Sequence, residues 1–325
     1  MSLPGTFAEV LYRLRTKWLT NDRNSSHAMI LMLHRVIEDA CEYSHPHIAR
    51  LHVTARHLED LLIKLRAGGY EIISLDDLHA RLQSGLAQSK FAVFTFDDAY
   101  RDCYELAFPV FKKHAAPFAL YIPTAVPDRE LYWWYYMLDD LLYRRGDAIE
   151  VPVAGVKHRF VLETTAQKNR AYEELESLIN SITEPRRREA LESIFAPYGL
   201  DPLAYSRKLS ITWDQIRELD QSGLATIGGH TISHNNLALM ASKEALDEMQ
   251  GGRRRIEEEI GHTIQHFCYP FGAAGYREFT LARKLGFKTC TTCQSAYLSK
   301  GHRGYPERLP RIMVEETTSA DSLAG

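Results

Sequence analysis

Short apolar runs alternate with amphipathic stretches of helical period along most of the chain, and this alternation limits the fold more than any other feature. It argues for parallel strands joined by crossover helices. Ala28–Leu33, Tyr70–Ile73, Phe91–Phe96 and Phe118–Ile122 read as strands. Thr54 is placed as the N-cap of a helix with Leu58, Leu61, Leu62 and Leu65 on one face, stopped by Gly68-Gly69. Ser74, with Asp77 three positions on, predicts a capping box ahead of Leu75, Leu78 and Leu82. A further helix is expected over Cys103–His114. From about Pro127 to Tyr205 the rhythm changes. An aromatic cluster (Trp133, Trp134, Tyr135, Tyr136, Tyr143) precedes a charged stretch, Glu173–Glu192, broken by Pro185, which predicts a mostly helical insertion. The alternation then resumes with helices over Thr212–Ser222 and Ser242–Ile260. Strands are expected at Leu224–Ile227, Gln265–Tyr269, Phe287–Thr292 and Leu309–Val314. Strands from both sides of the insertion are needed to close one sheet. The expectation is therefore one α/β domain over 1–325, barrel-like, with 127–205 inserted.

Composition excludes several function classes. The 325 residues are 45% hydrophobic and 25% charged, ordinary globular usage. Lys and Arg number 39 against 42 Asp and Glu, so no basic excess points to nucleic acid or an anionic membrane. Five scattered cysteines do not make a disulfide framework, and Cys290-x-x-Cys293 lacks the second pair of a zinc site, so it reads as structural. Phe7–Leu19 reads as an amphipathic helix interrupted by Arg13, Arg15 and Lys17. The longest early apolar run, Met29–Leu33, is only strand-sized. No membrane span and a cytoplasmic location are the expectations.

Three stretches carry chemistry. The strand Phe91–Phe96 ends in Asp97-Asp98, where a β/α barrel exposes its catalytic face. Alone, that pair fits equally well a helix cap at Asp98 beside a solvated Asp97. His230 and His234, four residues apart after Gly228-Gly229, have a spacing used for two-histidine metal capture. With Asp98 they supply the three ligands of an open catalytic zinc site. Spacing is not decisive, because His262 and His266 repeat it. That pair straddles a helix end and a strand start and is expected at the surface. His45, His47 and His52 are expected in a solvated loop. Pro270-Phe271-Gly272 forms a sharp turn able to present the backbone N–H of Phe271 or Gly272 to a developing oxyanion.

Taken together, Thr95-Phe96-Asp97-Asp98, His230-Thr231-Ile232-Ser233-His234 and Phe267-Cys268-Tyr269-Pro270-Phe271-Gly272 resemble, in order and in strand-end placement, three signature motifs of the polysaccharide deacetylases. This is the NodB-homology family, carbohydrate esterase family 4. The resemblance covers about 28–314 outside the insertion. It implies a distorted (β/α) barrel of about seven parallel strands and removal of N-acetyl groups from a sugar or glycan precursor with a divalent metal, zinc foremost. It also implies Asp97 as catalytic base, Asp98, His230 and His234 as metal ligands, and Phe271 as oxyanion donor. Thr231 and Ser233 would orient the histidine motif through hydrogen bonds.

The chain departs from the family pattern in three places. Cys268 stands where many members carry an arginine that pairs with the catalytic aspartate, which leaves Arg311 or Arg308 to supply that charge from another strand. The usual C-terminal Leu-x-x-His is missing. Met29–Leu33 followed by His34-Arg35-Val36 is instead similar to the early histidine motif of the poly-N-acetylglucosamine deacetylase branch, making His34 the candidate general acid. Ala99 replaces the glycine that often follows the two aspartates. Two alternatives remain on sequence grounds, a hydrolase of another amide or cyclic amide on this scaffold and a catalytically silent glycan-binding protein.

Overall fold

A computed structural model of the chain describes residues 27–38, 45–85, 90–153, 155–182 and 186–324. Phe7–Leu19 and Cys41 lie outside the described residues. Among the described residues, no helix is long and apolar enough to cross a membrane.

The barrel wall is built from β1 (Ala28–Leu33), β4 (Glu71–Ile72), β5 (Phe91–Phe96), β6 (Phe118–Ile122), β9 (Ala225–Gly229), β10 (His266–Cys268), β11 (Thr289–Thr291) and β12 (Ile312–Met313). The order is β11-β10-β9-β6-β5-β1-β12, all pairs are parallel, and β4 joins beside the start of β5. A parallel bridge between Thr291 and Leu309 brings the two ends of the sheet together. The N–H of Leu309 donates to Cys290 O (2.8 Å) and that of Thr292 to Leu309 O (2.9 Å). The result is the distorted (β/α) barrel expected from the sequence.

Strand alternation sorts the side chains between two packed regions. Met29, Leu31, Leu33, Ala92, Phe94, Phe96, Phe118, Leu120 and Ile122 join the core under the helices. Ala28, Ile30, Phe91, Val93, Ala119, Tyr121, Cys268 and Leu309 fill the barrel interior. The predicted crossover helices are present over Ala55–Ala67, Leu75–Ser84, Trp213–Gln221 and Ser242–Ile260, the first three capped by Thr54, Ser74 and Thr212. Cys103–His114 splits into a π-turn, Cys103–Ala107, and an α-helix, Phe108–Lys113.

The stretch between β6 and β9 holds helices Trp134–Tyr143, Thr165–Asn180, Arg186–Phe195 and Pro202–Leu209. It also holds an antiparallel hairpin, β7 (Ala148–Val153) with β8 (Val156–Val161), which helical periodicity did not reveal. This stretch corrects the expectation for His45 and His52, while His47 is exposed as expected. His45 is buried and stacked on Tyr172 at 4.1 Å, and His52, in the short strand β3 (His52–Thr54) paired with β2 (Arg35–Ile37), stacks on Tyr136 at 5.7 Å. Tyr172 and Tyr136, far along the chain, cover side chains that the polarity of their own segment marked as solvated.

His302 is buried, and its Nδ1 accepts the N–H of Ser299 at 2.9 Å. Burial pushes its imidazole down to about 4. Between pH 6.5 and 4 the unfolded chain therefore takes up a proton that the folded chain refuses. The stability conferred by the neutral ring is complete above pH 6.5 and is lost as pH falls toward 4. The loss is on the order of 3 kcal/mol. Urea unfolding from pH 7 to 4 should show His302→Asn losing less stability than the wild type. Parallel losses would assign the acid sensitivity to other groups.

Candidate active site

Parity of the strands assembles the site. On β1 and β5 the register sets Leu33 opposite Phe96, so the next residues, His34 and Asp97, emerge side by side. On β9 and β10, Gly229 lies opposite Phe267, which brings His230 beside Cys268. Asp98 would face outward by strict alternation. Its φ of 71° takes the backbone out of the strand and returns the carboxylate to the pocket, and Ala99 (φ 54°) continues the left-handed turn. Thr231, His234 and Phe271 also have positive φ. Non-glycine residues in this region persist only where their surroundings enforce it, and here five of them cluster on one rim.

Asp98, His230 and His234 converge so that their candidate ligand atoms lie within 4.8 Å of one another. The Nε2 atoms of His234 and His230 stand 3.1 and 3.5 Å from Asp98 Oδ1 without hydrogen-bond alignment, and that oxygen is buried with no hydrogen-bond partner. His230 Nδ1 lies 2.7 Å from Cys268 O, a contact that requires its proton on Nδ1 and leaves Nε2 as a lone-pair donor. Burial opposes ionisation of Asp98, but the neighbouring imidazoles outweigh it and hold the carboxyl well below the usual range. A carboxylate oxygen faced by two imidazole nitrogens, one of them on a ring whose far nitrogen is tied to Cys268 O, is a donor set suited to a divalent cation.

Arg311 settles the question left by Cys268. Its guanidinium, 0% exposed, clamps Asp97 through Nη1–Oδ1 and Nη2–Oδ2 contacts of 2.6 Å each. It also donates to Thr95 Oγ1 (3.1 Å), Thr292 O (3.0 Å) and Cys268 Sγ (3.1 Å). Reaching β5, β10 and the end of β11 at once requires a side chain lying across the barrel interior. Arg308 packs instead on the Tyr305 ring. Burial raises the Asp97 carboxyl, but the charge and hydrogen bonds of Arg311 prevail and hold it below its ordinary value. His34, at the end of β1, has a buried Nδ1 with no partner. Burial lowers its imidazole, while Asp98 and Asp97 pull the other way.

Phe271 is 65% exposed and its ring meets His234 edge to face at 4.7 Å. The Gly272 N–H is committed to Tyr269 O (2.9 Å), so of the two candidate donors in this turn Phe271 remains. Gly272 has φ 63°, and an added Cβ would lie 2.5 Å from Cys293 N, which is why the turn requires glycine there.

The groups holding the histidine loop were not singled out from the sequence. Glu248, on helix Ser242–Ile260, accepts the N–H groups of Ile232 and Ser233 at 2.9 Å each and the Ser233 hydroxyl at 2.7 Å. Gly252, on the same helix, lets it approach so closely that a Cβ would meet Thr231 O at 2.6 Å. Thr231 Oγ1 accepts the His234 N–H at 3.0 Å. Thr231 and Ser233 thus fix the loop backbone and do not touch the imidazoles. The second pair, His262 and His266, diverges as the sequence indicated. His262 bonds Asp220 at the surface as expected, but the surface expectation fails for His266, which starts β10 between two neighbouring strands and is buried against Thr289 Oγ1.

A strand-end aspartate pair, a histidine loop and a sharp turn thus meet on one rim of a parallel barrel. The chain belongs to the polysaccharide deacetylase family, whose model matches residues 85–290. Solved structures share its fold. A Streptococcus pyogenes deacetylase, PplD, determined with acetate, superposes with a TM-score of 0.60 at 18% identity, covering 91% of this chain and 96% of that one. A de-N-acetylase from Aggregatibacter actinomycetemcomitans gives 0.59 at 17% identity over 91% and 97%. IcaB from Ammonifex degensii gives 0.57 at 17% over 93% and 98%. No curated protein matches the chain in sequence.

Proposed function

We propose that this protein is a metal-dependent carbohydrate de-N-acetylase that hydrolyses the acetamido group of an N-acetylated sugar or glycan precursor to acetate and a free amine, most similar in its site to the poly-N-acetylglucosamine deacetylase branch. The observation that carries this is the juxtaposition of an ionised, unpartnered Asp98 Oδ1 facing two imidazole nitrogens with a second carboxylate, Asp97, clamped beside it by Arg311.

Asp98, His230 and His234 would hold the cation, zinc by the chemistry of the donor set. When bound, it supplies Lewis acidity that polarises the acetyl carbonyl and acidifies water. Asp97 takes the proton of the attacking water, and the Arg311 clamp keeps it both ionised and aimed. The Phe271 N–H donates to the oxygen of the tetrahedral adduct. His34 hands a proton to the departing nitrogen. Burial leaves its ring neutral at rest, so the proton it delivers is the one Asp97 took from water, passed to the neighbouring ring after attack, which returns Asp97 to its ionised form.

The test is an acetate-release screen over N-acetyl sugars, their oligomers and their activated forms, with elemental analysis of the purified protein. Release that disappears on chelation and returns with zinc is expected. A zinc-loaded protein that binds these sugars and frees no acetate overturns the proposal.

A further inference from the structure

Asp98 has two oxygens, and only Oδ1 faces the histidines. Oδ2 takes a hydrogen bond from the Tyr100 hydroxyl at 3.3 Å, and that hydroxyl lies 2.7 Å from the hydroxyl of Tyr135. A phenol has one proton to give. An ionised carboxylate accepts only, so Tyr100 spends its proton on Asp98 and its oxygen accepts from Tyr135. The direction of the chain is thereby fixed from Tyr135 to Tyr100 to Asp98.

Both tyrosines are held in place. Tyr100 is fully buried, stacked on Trp133 at 4.4 Å, and paired as an antiparallel bridge with Ser210, whose hydroxyl accepts the Trp133 Nε1–H at 3.0 Å. The following N–H, of Ile211, donates to Ala99 O at 3.2 Å. Tyr135 sits in the first turn of helix Trp134–Tyr143, which belongs to the stretch between β6 and β9 and not to the repeating barrel. The backbone just beyond the inserted residues 127–205 therefore grips the turn carrying Asp98, while a side chain from within them completes the hydrogen-bond chain to the carboxylate.

We propose that Tyr135 is a positioning residue which, acting through Tyr100, reserves Asp98 Oδ2 for hydrogen bonding and presents Oδ1 alone to the metal, so that the inserted segment sets the metal affinity of the barrel. This rests on the assignment of Asp98, His230 and His234 as metal ligands. Groups that orient a ligating carboxylate are typically worth about 10- to 100-fold in metal affinity.

Zinc affinity of the full-length apoprotein, measured by competition with a chromophoric chelator, tests it for the wild type, Tyr100→Phe, Tyr135→Phe and the double variant. Each substitution keeps the ring and its packing, and thermal unfolding of the apoproteins checks that the fold is retained. Tyr100→Phe should weaken zinc binding by roughly tenfold or more, and Tyr135→Phe by a smaller factor. In the Tyr100→Phe background, Tyr135→Phe should add nothing, because its effect travels through the missing hydroxyl. Unchanged affinity in Tyr100→Phe overturns the inference while leaving the ligand assignment intact. An equal Tyr135→Phe effect in both backgrounds overturns the relay. A wild type that binds no zinc defeats the ligand assignment and this inference with it.

Discussion

Arg311→Met should lower the unfolding free energy by about 3–5 kcal/mol, an effect large enough to bring a protein of ordinary stability close to its threshold. The magnitude follows from what is left behind. Methionine fills much of the arginine stem, so little packing is lost, but Asp97 remains buried with Oδ1 stripped of its guanidinium donor and Oδ2 left with only the weak Cys268 S–H donor at 3.6 Å. Thr95 Oγ1 and Thr292 O lose their guanidinium partner as well. The pH dependence identifies the cause. With Arg311 present, Asp97 sits below its ordinary value. Without it, burial is the dominant influence and raises the carboxyl above its unfolded value. The variant then escapes part of the penalty by binding a proton, so the stability gap to the wild type should narrow as pH falls from 7 toward 4. Arg311→Lys should fall between the two, since an ammonium restores charge without the planar fork. Adding Cys268→Arg to Arg311→Met should recover part of the loss, because the Cys268 sulfur already touches Arg311 Nη2 at 3.1 Å. Urea unfolding measures all four proteins. A cost under 1 kcal/mol for Arg311→Met, independent of pH, would show that the clamp is not what holds Asp97.

Much of this arrangement was legible because strands impose a strict period. The apolar runs at β1, β5 and β6 have the limits read from the sequence, and once their register is known, Asp97 and His34 must emerge together. What lay beyond the sequence is what depends on departures from that period or on contacts distant along the chain. Asp98 reaches the pocket only through a left-handed φ, a conformation that aspartate adopts more readily than most residues but that no spacing announces. Arg311 and Arg308 were equivalent by sequence. Three positions along the segment entering β12 decide which one lies inside the barrel and which packs on Tyr305. Glu248 is, by sequence, one of several charges on an amphipathic helix. Its role requires the loop of residues 231–233 to pass within 3 Å, a fact of tertiary packing. Gly252 carried a faint signal. A glycine pair in the middle of a 19-residue helix is costly unless something passes close to the backbone, and the histidine loop does.

Asp97→Asn should keep its metal and lose turnover by roughly 10²- to 10⁴-fold, the usual worth of a positioned acid–base group. The substitution is nearly isosteric, and none of Asp98, His230 and His234 bonds to Asp97, so zinc affinity should stay within a few-fold of the wild type. Asparagine can still accept from one guanidinium nitrogen, but its amide N–H₂ then faces the other, donor against donor. Some stability is therefore lost as well, and folded protein must be verified at the assay temperature. The clamp gives the prediction its interest. A carboxylate held below its ordinary value is a weak base, and basicity alone would make Asp97 a poor choice for deprotonating water at neutral pH. Two bonds of 2.6 Å to one rigid fork compensate by fixing both oxygens in direction. If position matters more than basicity, Asp97→Glu, which keeps the charge but displaces the oxygens by one methylene, should lose nearly as much activity as asparagine. Initial rates of acetate release, taken with the zinc content of each protein, decide the matter. An asparagine variant within tenfold of the wild type at full zinc occupancy removes Asp97 from the proton transfer, and a fully active glutamate variant shows that charge suffices without the geometry.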